Sequence, residues 1–217
     1  MWCIQAIDSE YRKRMYDVLD LYANRSRSVH VIAIDEKPKQ IVSDRRKTIP
    51  MKPGSPEKYD YEYTRRGKAN IFVAVEPGKG KRTVKVTDRR TKKDFAVFVK
   101  EVLKGYPKAG KLCVVLDNLN THFPGSFEEA FGREERERIM SRVEFHYTPK
   151  HASWLNIAEI EINVMDIECT GRRFESRESL EKEIGVWAAK RNEQGKKIEW
   201  GFNRKQADRK LSKHYTT

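Results

Sequence analysis

Two short apolar runs constrain this chain more than any other feature. "VHVIAIDE" and "KLCVVLDN" are unbroken stretches of β-branched and aliphatic residues, too brief for a core helix and bounded by polar positions. A run without polar alternation is buried on both faces, which is the pattern of a strand inside a parallel arrangement with helices on either side. Both runs finish in an aspartate, Asp35 and Asp117. If the two strands are parallel and adjacent, the carboxylates emerge at one end of the sheet, the rim where open α/β sheets keep their sites.

The intervening segments supply the partners such a sheet needs. Tyr11, Met15, Val18, Leu19 and Tyr22 recur at helical spacing and predict a packing helix at about 9–24. Residues 42–58 hold three prolines and a glycine among charges and predict a long irregular connection. "YDYEYTRRGKANIFVAVEPGKGKRTVKVTD" alternates, turns at Pro-Gly and alternates again, so antiparallel pairing is expected. Thr91 with Asp94 forms a capping box for a helix carrying Phe95, Phe98, Val99, Val102 and Leu103, stopped by Gly105 and Pro107. A strand, a helix and a second strand then imply a crossover. Further on, a helix capped by Ser126 with a weak point at Gly132, a strand "VEFHYTP", a helix running from Ser153 to near Gly171, one from Ser176 and a basic one after Asn203 are expected. Trp154 and Leu155 would anchor the Ser153 helix in the core.

Two neighbouring carboxylates repel, and one must hold a proton unless a cation sits between them. Oxygen ligands suit Mg²⁺ or Mn²⁺. A third carboxylate has two candidates in "NIAEIEIN", Glu159 and Glu161, which point to nearly opposite sides of a helix. Asn156, Glu159, Asn163 and Asp166 share one polar stripe and Glu161 and Glu168 another, and periodicity leaves both open. An aspartate after a strand is also a common turn former or cap, so one alone would mean little.

Charge points to the partner. Lysine and arginine outnumber aspartate and glutamate 45 to 32, a net +13, and such a field attracts polyanions, nucleic acid first among them. Tyr59, Tyr61, Tyr63, Arg65 and Arg66 read equally as a stacking clamp and as the face of an edge strand. Cys3, Cys113 and Cys169 are odd in number and lack paired spacing, which argues against a disulfide framework or a zinc site and for a reducing cytoplasm. No apolar run is long enough to span a bilayer, so no membrane partner is expected.

"AIDEKPKQ", "YEYTRRGKANIFVAVEP", "VLDNLNTH" and "YTPKHASWLNIAEIE", in that order, resemble the DDE transposases of bacterial insertion sequences, in the mariner-related branch. The likeness runs from about Trp2 to the C-terminus. It implies a ribonuclease H-like α/β fold, a five-stranded mixed sheet flanked by helices. Matched residue by residue, it makes Asp35, Asp117 and Glu159 the catalytic and metal-holding triad, with two Mg²⁺ or Mn²⁺ ions driving in-line phosphoryl transfer. The partners it implies are transposon ends and target DNA, with a homodimer formed on DNA, in the nucleoid of a prokaryotic cytoplasm. His122, Lys150 and His151 flank this site and, with Arg65 and Arg66, are the candidate DNA contacts; a hydrogen-bonded structural role is the alternative for the histidines. Relatives carry helix-turn-helix modules before this domain, whereas here a single catalytic domain over 1–217 is expected with that region absent. A catalytically silent DNA-binding remnant and another ribonuclease H-like nuclease are the competing functions.

Overall fold

The computed structural model describes residues 6–23 and 29–216; Trp2, Cys3 and the last position of the expected first helix lie outside them. Strands β1 (His30–Asp44), β2 (Tyr63–Glu76), β3 (Lys81–Thr87), β4 (Leu112–Leu116) and β5 (Val143–Tyr147) form one sheet in the order β3-β2-β1-β4-β5. β4 lies parallel to β1 and to β5, whereas β1–β2 and β2–β3 are antiparallel. The α/β architecture is therefore a five-stranded mixed sheet, with helices on both faces.

Alternation along the strands feeds two sides. Ile32 and Ile34 of β1, Phe72 of β2 and Leu112, Val114 and Leu116 of β4 pack under α2 (Lys92–Lys104), α3 (Gly125–Phe131) and α4 (Arg133–Met140). Phe95, Phe98 and Phe127 from these helices are fully buried there, each worth about 1.5–3 kcal/mol of burial. The other side has two clusters. Val31, Ala33 and Val115 meet α1 (Ser9–Ala23), Leu155 and Ala207 of α7 (Arg204–Leu211), while Ile71 and Val73 meet α5 (Ala158–Met165) and α6 (Arg177–Glu193). Thr91 caps α2 through the expected reciprocal bonds with Asp94, at 3.2 and 2.9 Å.

Several local expectations are corrected. β1 does not stop at Asp35 but continues to Asp44 against β2. Its pairing with β4 has ended by Ala33, so Pro38 falls where β1 has a strand on one side only and a missing N–H is tolerated. The connection that follows is partly ordered by bridges Ile49–Lys58 and Lys52–Ser55, turning at Gly54 with φ +78°. Gly132, at φ +84°, splits the expected single helix into α3 and α4, and Ser126 lies inside α3, its hydroxyl donating to Thr121 O at 2.7 Å. The helix expected from Ser153 is broken too. Ser153–Leu155 form one 3₁₀ turn, Asn156 is extended, α5 starts at Ala158, and a π turn over Asp166–Thr170 ends it. Leu155 is buried, but Trp154 stays 42% exposed, edge-on to Phe202.

Candidate active site

Register brings the two aspartates together. Parallel pairing of β1 with β4 runs to Ala33 and Val115; Asp117 follows the end of β4 at the same rim, and Asp35 stands two residues beyond Ala33 on the side that residue faces. Helix α5 packs against β1 and β2 on that side and carries Glu159 in its first turn.

Asp35 is held from both oxygens. Oδ1 accepts the Glu36 N–H at 2.8 Å and Oδ2 accepts Asn156 Nδ2 at 3.2 Å. Burial pushes its carboxyl up to about 7; the Glu36 N–H opposes the rise, and the charges of Glu159, Glu36 and Asp117 add to it. Asn156 is itself buried, and its amide also donates to Ile34 O at 2.9 Å. That side chain, which cannot be buried unpaired, is the reason the chain leaves helical geometry before α5.

Asp117 goes the other way. Burial would raise its carboxyl, but His122 and the Leu119 N–H at 3.0 Å prevail and hold it below the usual carboxylate range. His122 is completely buried between two acids, with Nδ1 2.6 Å from Asp117 Oδ1 and Nε2 3.2 Å from Glu36 Oε2. These are close ion-pair contacts, off the line of the ring N–H bonds. Burial alone would lower His122, and the two carboxylates reverse that, raising it to about 9. The expectation that His122 faces DNA is thus corrected: it points inward because Glu36, almost fully buried, needs a counter-charge. Glu36 was missed in the sequence, where it reads only as the acid after Asp35.

The structure separates the two stripes that periodicity left equivalent. Glu161 is fully buried, 2.8 Å from Arg82 Nε and 2.9 Å from Arg191 Nε, and Arg191 also binds Glu168 at 3.1 Å. Glu159 is exposed, and its charge is felt at Asp35. Lys150 and His151 line an open cleft of about 340 Å³ together with Asp117, Asn118 and Thr148. Arg65 and Arg66 are exposed on the outer part of the β1–β2 ribbon. Arg65 pairs with Val42, which places it about 23 Å along β1 from Asp35. Tyr59 and Tyr61, 65% and 81% exposed, precede β2 rather than pack on a sheet.

The carboxylates of Asp35, Asp117 and Glu159 do not all approach within 4.8 Å of one another, as expected of bare like charges. An oxygen-only set in which one member is driven toward protonation by burial first and by neighbouring carboxylates second fits a hard divalent cation.

A family model described as DDE superfamily endonuclease matches residues 30–181. Among curated proteins no sequence matches. Among solved structures, the fold is similar to a Mos1 mariner paired end complex with Mn at 15% identity and TM-score 0.56, covering 90% of this chain and 61% of that one. It is similar to the Mos1 strand transfer complex at 16% identity and TM-score 0.56, covering 87% and 57%. The catalytic domain of Mos1 mariner transposase matches at 12% identity and TM-score 0.56, covering 89% and 90%. The chain thus spans about three fifths of the first two of these and most of the third.

Proposed function

We propose, from the premise that this chain belongs to the DDE superfamily endonucleases, that it is a transposase catalytic domain that cuts DNA strands at transposon ends and joins them to target DNA. The observation that supports the reading is that Asp35 and Asp117 lie at one rim of adjacent parallel strands, with the charge of Glu159 of α5 adding to the rise of Asp35. In this reading Asp35, Asp117 and Glu159 hold two Mg²⁺ or Mn²⁺ ions, which supply charge stabilisation of the attacking and leaving oxygens in an in-line displacement.

The chain's own residues prepare that site. Asn156 and the Glu36 N–H orient Asp35, and His122 with the Leu119 N–H keeps Asp117 ionised and aimed. A carboxyl at about 7 carries a proton for part of the time at neutral pH, which Asp35 would release on holding a divalent cation. Lys150 and His151 stand beside Asp117 in the open cleft and contact the scissile strand, while Arg65 and Arg66 meet flanking phosphates. Transposases of bacterial insertion sequences that act as dimers on DNA are the finer class proposed, on the residues quoted above.

Incubation of labelled transposon-end DNA with Mg²⁺ or Mn²⁺ yields nicks for the native chain and none for Asp117→Ala. Cleavage undiminished in that variant removes Asp117 from the reaction and the proposal with it.

A further inference from the structure

A second cluster of ligating side chains lies on the α1 side of the sheet, away from the carboxylates. Cys113 of β4 pairs in register with Glu144 of β5, and Val115 with His146. Parallel register puts Cys113, Glu144 and His146 on one face, and one ligand atom from each lies within 4.8 Å of the others. Cys113 precedes Asp117 by four residues on β4, about 13 Å along the strand.

His146 is the informative member. Its Nδ1 donates to Asp17 Oδ2 of α1 at 2.7 Å, which orients the ring and turns Nε2 away from that carboxylate. Nε2 is buried, makes no hydrogen bond, and lies 3.8 Å from Glu144 Oε1. A buried ring nitrogen without a hydrogen bond costs free energy, and the Glu144 carboxylate at 3.8 Å is too far to supply one. A carboxylate that binds one imidazole nitrogen while the other is free is the arrangement found behind metal-ligating histidines.

We propose that Cys113, Glu144 and His146 form a site for a borderline-soft divalent cation of the Zn²⁺ class, with Asp17 as the positioning residue. Sulfur, nitrogen and one carboxylate oxygen select Zn²⁺ over the Mg²⁺ suited to an oxygen-only set. On binding, the Cys113 S–H bond breaks, the proton leaves to solvent and a sulfur–metal bond forms. Three protein ligands leave a fourth position to water. Because Asp17 sits on α1 and the ligands on β4 and β5, the ion ties the first helix to the sheet edge and stabilises only the folded chain. Linear spacing of cysteines spoke against a zinc site because two of the three ligands are not cysteines and Cys113 meets them only across strands.

The test is titration of the chelator-stripped full chain with Co²⁺, followed by competition with Zn²⁺. A thiolate-to-cobalt charge-transfer band appears in the native chain and in Asp117→Asn, and disappears in Cys113→Ser. His146→Gln, which keeps the thiol, weakens Zn²⁺ binding at least about tenfold, and Asp17→Asn weakens it about 10- to 100-fold. Metal-dependent DNA cleavage persists in Cys113→Ser, so the outcome is separate from the fate of the transposase reading. No band in the native chain, the same band in Cys113→Ser, or unchanged Zn²⁺ affinity in His146→Gln overturns the proposal.

Discussion

Glu159 and Glu161 are two residues apart in one short helix, yet they meet opposite conditions. Glu161 is sealed between Arg82 and Arg191, and removing its charge would leave Arg82 buried without compensation. Glu161→Gln is expected to cost about 3–5 kcal/mol of stability, while Glu159→Gln, at an exposed position, should change it by no more than about 0.5 kcal/mol. Cleavage should follow the reverse order, with Glu159→Gln inactive and folded Glu161→Gln active; urea denaturation and nicking assays on both variants check this. Asp35 offers a pH test. Its carboxyl rises from 3.8 to about 7 on folding, so the unfolded chain releases this proton first and folding loses stability as pH climbs between these values. Asp35→Asn in chelator should therefore stabilise the chain by on the order of 2 kcal/mol at pH about 8, with the gain gone near pH about 4. A gain independent of pH would contradict the burial argument.

Elements are joined here by side chains whose demands override local propensity. Asn156 must satisfy Ile34 O and Asp35 from inside the protein, and α5 is shortened at its start as a result. The β2–β3 turn shows the same dependence on a distant element. Arg82 reaches from β3 to Gly80 O at 2.9 Å and to Lys196 O at 2.6 Å, and Asn192 of α6 donates to Arg82 O at 2.9 Å. Gly80 has φ +66°, and a Cβ there would lie 2.7 Å from the backbone of Gly195 and Lys196. Gly80→Ala is expected to destabilise by about 1–3 kcal/mol, because both the turn and the backbone beyond α6 must shift. Thermal unfolding measures it, and an unchanged midpoint would mean that the two segments separate freely.

At the scale of the whole molecule the surplus of positive charge meets the proposed substrate. A protein that neutralises six phosphates loses about a thousandfold in affinity between about 50 and about 200 mM salt. Duplex DNA binding by this chain, at net +13, should fall at least that steeply in a filter or anisotropy assay; salt-independent binding would refute the electrostatic reading. Among the described residues no helix is long and apolar enough to cross a membrane. What the order of residues determined by itself was periodic or local: the unbroken runs of β1 and β4, the Thr91 capping box, the weak point at Gly132, and the aspartate closing each run. Those features follow from burial patterns and steric limits that act over a few residues. Tertiary structure decided the rest, because it depends on which strangers meet: β1 running past Asp35 against β2, His122 turned inward to Glu36, Glu161 rather than Glu159 claimed by arginines, and Cys113 set beside Glu144 and His146. The cost of burying charge is settled by neighbours distant in the chain, and one-dimensional spacing carries no record of them.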